Sequence, residues 1–148
     1  MWAVEHSVET TAKPEEIWRL WADVPGWPNW NRDIEEIELV GPFDSGSTIR
    51  MRPIGLETVE LRIAHAVAPD FFVDEVHLGD LVIRTIHRVD SVRADCARVT
   101  YRMEIAGVGA DGLGPELGPE ISSDFPETLK ELVARAERRV EERTGSFS

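Results

Sequence analysis

The chain has 148 residues, 42% hydrophobic and 30% charged, with a net charge of −12 at pH 7. That suits one domain over residues 1–148 with a real core. It excludes a phosphate-backbone partner such as nucleic acid, which needs clustered Lys and Arg, and stable membrane insertion, since no apolar run is long enough. The lone cysteine, Cys96, cannot form an intrachain disulfide, and Met1 leads into no basic or apolar leader; the expected location is the cytoplasm.

Trp2 to Thr11 alternates as a strand, with Trp2, Val4, His6, Val8 and Thr10 on one face. Pro14 opens a short helix whose first turn carries Glu15 and Glu16, at the positive end of its dipole. Pro25-Gly26 ends it, and Trp27-Pro28-Asn29-Trp30-Asn31 predicts a second short helix or tight turn. The dense cluster of Trp18, Trp21, Trp27 and Trp30 reads either as packing against a sheet end or, for Trp27 and Trp30, as a ligand-facing surface.

Strands follow. Ile37 and Leu39 alternate with acids, and Thr48 to Pro53 sets Ile49 and Met51 against Arg50 and Arg52. Val59, Leu61, Ile63, His65 and Val67 form one expected face of the next strand. Phe71 to Leu78 is followed by the hairpin signal Gly79-Asp80. Beyond it Leu81, Ile83, Thr85, His87 and Val89 share a face, as do Val99, Tyr101, Met103 and Ile105 on the last strand. Short connections imply an antiparallel meander.

Five glycines lie between Ala106 and Pro119, which predicts a mobile loop. From Gly118 to Arg143 a long amphipathic helix is expected. Counting 100° per residue, Ile121, Phe125, Leu129, Leu132, Val133, Ala136 and Val140 fall within an arc of about 120°. Pro126 leaves two readings: a helix capped by Ser123 or Asp124 with Pro126 in its first turn, or a kinked helix starting near Pro119. The stripe continues back to Ile121, which favours the kink.

Three stretches then carry a resemblance: Val4-Glu5-His6-Ser7-Val8-Glu9, Ala12-Lys13-Pro14-Glu15-Glu16-Ile17-Trp18 and Trp27-Pro28-Asn29-Trp30-Asn31. Phe72-Val73-Asp74-Glu75, Ile86-His87, Arg98 to Glu104 and Leu113-Gly114-Pro115 extend it. With these, the chain resembles the bacterial polyketide cyclase/dehydrase branch of the SRPBCC or START-like superfamily. The resemblance implies an α+β helix-grip fold: a curved antiparallel sheet around a long C-terminal helix, with two short helices near the N-terminus. It implies a mainly apolar cavity. Its recognised aromatase/cyclases use a cavity arginine, for which Arg52 is the candidate here. Tyr101 stands where related members commonly have His.

Motifs for phosphate binding, a nucleophile elbow and zinc hydrolysis are absent, and the four histidines show no local metal spacing. No metal or cofactor is expected. Polar residues interrupting an apolar face mark the candidate site. Glu75, expected on an inner face with Phe71 and Val73, joins His87 and Tyr101. This group could move a proton in a cyclisation or dehydration, orient a ligand, or simply satisfy itself. Trp27, Trp30, Met51, Ile63, Val73, Thr85, Met103, Phe125 and Leu129 are the expected cavity lining. The main reading is binding of a small hydrophobic, polyketide- or lipid-like molecule by a monomer or weak homodimer. The alternatives are a cyclase or dehydratase, and a lipid carrier or sensor without chemistry.

Overall fold

The computed structural model describes the backbone of residues 1–145 and the side chains of residues 1–138. The elements run β1 (Trp2–Thr10), α1 (Pro14–Ala22), a 3-10 helix (Val24–Asn29), β2 (Ile34–Val40), β3 (Thr48–Pro53), β4 (Val59–Val67), β5 (Phe71–Leu78), β6 (Leu81–Arg93), β7 (Cys96–Gly107), α2 (Ala110–Ile121) and α3 (Phe125–Gly145). The strands form one seven-stranded sheet in the order β1-β7-β6-β5-β4-β3-β2, every neighbour antiparallel. The helices pack on its concave face. This is the expected α+β helix-grip arrangement.

Alternation puts Val8, Ile49, Leu61, Ile63, Val99 and Tyr101 under α1 and α3, whose Ile17, Leu20, Trp21, Leu129, Leu132, Val133 and Ala136 are buried against them. A second patch of core joins Leu81, Ile83, Met103 and Ile105 of the sheet to Ala110 of α2. In β4 the pairing slips between Ile63 and His65. This bulge turns His65 and Val67 outward and Ala66 inward, so the expected unbroken face from Val59 to Val67 ends at Ile63.

The glycine-rich stretch is a helix, not the expected loop. Gly114 and Gly118, four apart, are buried on the side of α2 that lies on Trp2. A Cβ at either position would run into the Trp2 indole, so the bare backbone is what lets the helix lie flat on the ring. Tertiary contact here overrides a poor helix composition.

The C-terminal helix is two helices. α2 ends at Ile121, and the chain turns through Ser122 to Asp124. α3 then starts with Pro126 in its first turn, the N–H of Thr128 donating to the Asp124 carbonyl. Pro126 has no N–H to leave unpaired, so a new first turn satisfies it where a continuous helix would not. Ile121, 40% exposed, is not part of the buried stripe. Arg139 and Val140 lie outside the described side chains.

Two substitutions test this packing. Leu132→Ala removes a fully buried side chain facing the sheet and is expected to cost roughly 2–5 kcal/mol, read as a lower urea midpoint at unchanged slope. Gly118→Ala is expected to destabilise the protein although alanine is the better helix former, and to perturb the near-ultraviolet dichroism of Trp2.

Candidate functional site

The side chains that interrupt the concave apolar face come from two adjacent rows across the sheet. One row runs Ile63, Asp74, Thr85, Met103, Val4, and the next Ala66, Phe72, His87, Tyr101, His6. Asp74, His87 and Tyr101 are buried; Thr85 and His6 are half-buried.

Two expected site residues face the other way. The β5–β6 hairpin pairs Leu78 with Leu81, Asp74 with Thr85 and Phe72 with His87. Asp74 therefore shares the face of His87, while Phe71, Val73 and Glu75 point to the convex side. Glu75 is held there by Arg84, whose Nη2 approaches Glu75 Oε2 to 2.6 Å. The inner carboxyl is Asp74, which the sequence reading missed. The two-residue Gly79-Asp80 turn was the signal: it makes Asp74 the partner of Thr85.

The other expected lining residues divide between core and edge. Trp27 and Trp30 are buried against each other, their ring centroids 5.9 Å apart, and Trp27 Nε1 donates to the Trp21 carbonyl at 2.9 Å. Ile63, Met103 and Leu129 are sealed core side chains. Met51, Thr85 and Phe125 remain half-buried. Arg52 lies on the convex face, bound to Glu35 at 2.8 Å and Glu36 at 3.0 Å. It is not a cavity arginine.

Around His87 the interior is filled with rings. Its imidazole stacks on Phe72, centroids 3.9 Å apart and planes 4° apart, and meets Tyr101 edge-on at 4.6 Å. Trp21 packs on Phe72, His87 and Tyr101, and its Nε1 donates to the Tyr101 hydroxyl at 3.1 Å. Trp21 and Phe72 are 0% exposed, so no water-sized void touches them. The less covered part of the concave face lies further along, where inward-facing Met51, Val59, Val76 and Thr85 stay half-buried, as does Phe125 at the start of α3.

Burial sets the charge state of the polar group. It pushes the Asp74 carboxyl up to about 7, the neighbouring Glu75 carboxylate adding to the effect, and pushes His87 down to about 3 against hydrogen bonds to the Phe72 and Thr85 backbone. Burial also raises Tyr101. His87 Nε2 and Asp74 Oδ2 are 3.8 Å apart, too far for a hydrogen bond. With His87 neutral, and the Asp74 carboxyl protonated below about pH 7 and ionised above it, this is not an ion pair. His87 Nδ1 lies 3.4 Å from the Phe72 carbonyl oxygen, which can only accept, so Nδ1 carries the proton and Nε2 offers a lone pair. The site thus presents two hydroxyl donors, on Asp74 and Tyr101, and one acceptor in an apolar surround.

Two concavities lie apart from this group. One of about 440 Å³, over Glu36, Glu38, Arg50 and Arg52 on the convex face, is a solvated ladder of ion pairs. The other, about 270 Å³, is bordered by Trp30, Asp33, Asp124, Thr128 and Glu131. The Asp124 carboxyl there is raised to about 6 by burial and by Asp33 beside it. Among the described residues no group of three or more His, Cys, Asp and Glu could hold a metal ion, and no helix is long and apolar enough to cross a membrane.

A concave antiparallel sheet closed by a C-terminal helix over an apolar face with a buried polar group defines a START-like helix-grip domain. The chain belongs to the family described as polyketide cyclase / dehydrase and lipid transport, whose model matches residues 1–141. Solved structures share the fold. A START superfamily protein from Mycobacterium smegmatis superposes with a TM-score of 0.72 at 15% identity, over 92% of this chain and 97% of that one. The di-domain ARO/CYC BexL from the BE-7585A biosynthetic pathway gives 0.74 at 19% identity, over 93% of this chain and 47% of that one. Norcoclaurine synthase from Thalictrum flavum, in complex with dopamine and hydroxybenzaldehyde, gives 0.67 at 14% identity, over 90% and 86%. No curated protein matches the sequence.

Two titrations follow from the charge states. Asp74's folded value, about 7, lies above the ordinary carboxylate value of about 4. The stability it contributes is complete below about 4 and is lost as pH rises through about 7. Asp74→Asn lacks that loss, so its stability relative to wild type is expected to rise between pH 5 and pH 8 in denaturant titrations. His87 contributes stability above its ordinary value that is lost as pH falls towards 3, and this cancels because both proteins carry it. The His87 ring is also expected to stay unprotonated between pH 5 and 8, read from its ring nitrogen shifts, with or without Glu75→Gln.

Proposed function

We propose that the domain binds a small apolar or aromatic molecule against its concave face. The occupant rests on Met51, Val59, Val76, Thr85 and Phe125, and its polar end meets Asp74 and Tyr101. The observation that carries this reading is the row of buried polar side chains set in an otherwise apolar face and close to its half-covered strip. The family, which spans cyclases, dehydrases and lipid transport, supports a hydrophobic ligand. So do relatives of the same fold whose names are ARO/CYC and norcoclaurine synthase.

The site is small because rings already fill the region round His87, so the reading favours one or two fused rings over a long-chain lipid. A second reading, catalysis of cyclisation or dehydration, is favoured by one observation: Asp74 is poised near neutrality, where a general acid works best. In it Asp74 takes the part first assigned to Glu75. Its hydroxyl and that of Tyr101 polarise a carbonyl, and His87 Nε2 accepts a hydrogen bond from the enol.

Calorimetric titration with naphthalene checks the binding reading. Saturable uptake is expected, and Val76→Trp, which fills the strip from β5, should weaken it at least tenfold. Val92→Trp, at an exposed position distant from the strip, should leave it unchanged. Equal affinity in all three proteins would place the ligand elsewhere.

A further inference from the structure

We infer that the concave site reads the charge of its ligand's polar end: it admits a neutral hydrogen-bonding group or a protonated amine and refuses a carboxylate, sulfonate or phosphate. The inference rests on the reading that the concave face is a binding site, and names the class of ligand such a site takes.

The argument is the distribution of cations. Among the described residues, no inward-facing strand position holds Lys or Arg, and no buried position of α1, the 3-10 helix or α3 does. The strand arginines are on the convex side. Arg50 pairs with Glu38 and Glu60, Arg52 with Glu35 and Glu36, Arg84 with Glu75, Arg93 and Arg98 with Glu9, and Arg102 with Glu104. Arg62 and Arg88 are exposed on that same side. On the helices, Arg19 pairs with Glu16 and Lys130 with Glu127. Arg135, beside the buried stripe of α3, is ten residues from Phe125, roughly 15 Å along the axis.

An anion placed beside Asp74 would therefore lose its water without gaining a cation, and buried charges need partners. His87 supplies none, since burial keeps it neutral. The N-terminal end of α3 could attract an anion, but Asp124 and Glu127 already stand at its first turn. A neutral alcohol, phenol or carbonyl meets the hydroxyls of Asp74 and Tyr101. An ammonium meets a carboxyl able to surrender its proton. The groups facing Asp74 are Thr85 and His87 from β6 and Tyr101 from β7, on which both Asp74 and Asp124 act; Glu75 acts on Asp74 from the opposite face of β5.

The test is a matched series at pH 7: 2-naphthalenemethanol, 2-naphthylmethylamine and 2-naphthoate, titrated calorimetrically into the full chain. The alcohol and the amine are expected to bind at least tenfold more tightly than the carboxylate. Between pH 6 and 8 the amine should gain on the alcohol as Asp74 ionises. Asp74→Asn should abolish that gain, whereas Glu75→Gln should preserve the order of the three. Naphthoate binding as tightly as the alcohol would overturn the charge inference and leave the binding reading standing. If neither naphthalene nor the alcohol saturates, the binding reading falls and the inference with it. Should Asp74→Asn fail to fold, the wild-type pH series decides: an amine-to-alcohol ratio flat from pH 6 to 8 removes Asp74 as the group that reads charge.

Discussion

The two-residue turn at Gly79-Asp80 is the constraint on which the interior depends. A turn of that length makes Leu78 and Leu81 partners and leaves β5 no freedom of register. Gly79 takes a backbone φ of +61°, a conformation that suits glycine. The same turn lies against β7, where a Cβ on Gly107 would strike the Asp80 carbonyl. Three strands are thereby locked together. A register shifted by one residue would exchange Asp74 for Glu75 and put Phe72 on the other face. The carboxyl that faces the helices, the ring that stacks on His87 and the partner left for Arg84 all follow from that count.

The fold then separates its charges by side. The convex face carries cross-strand acid–base ladders such as Glu38–Arg50–Glu60, each exposed pair worth little alone. The concave face carries groups that burial has driven towards neutrality. Among the described residues the strand arginines lie outside, most of them paired with carboxylates, and the inward-facing titratable side chains of the polar rows are acids and imidazoles. Ring packing around Trp21 and Phe72 fills this part of the interior.

Much of this was legible in the sequence. The antiparallel meander follows from the short connections, the two N-terminal helices from their proline signals, and the inward faces of β1, β6 and β7 from alternation, because each of these strands has one clearly apolar side; the pairing of β1 with β7 does not. β5 failed for a local reason: Phe71, Phe72 and Val73 are all apolar, so alternation does not say which side is in, and only the hairpin count does. β4 failed at its bulge, which no pattern of side chains announces. The glycine-rich stretch was misread because Gly114 and Gly118 owe their helical state to Trp2, more than a hundred residues away. The aromatic cluster was legible as packing, but not the degree to which its rings fill the expected cavity, which depends on angles such as the stacking of His87 on Phe72.

That dependence of α2 on Trp2 has a consequence for how the interior can open. Three glycines and two prolines among twelve residues disfavour the helix by roughly 1 kcal/mol per glycine and roughly 3 per proline relative to alanine. Off the indole, nothing in its own composition would keep it wound. A rigid flap hinged at Ser122 is therefore excluded for this segment; lifting it and melting it are one event. Opening on that side is a local order–disorder transition, favoured by chain entropy and by warming. The amides of α2 would then exchange their hydrogens together, as a unit separate from the sheet beneath.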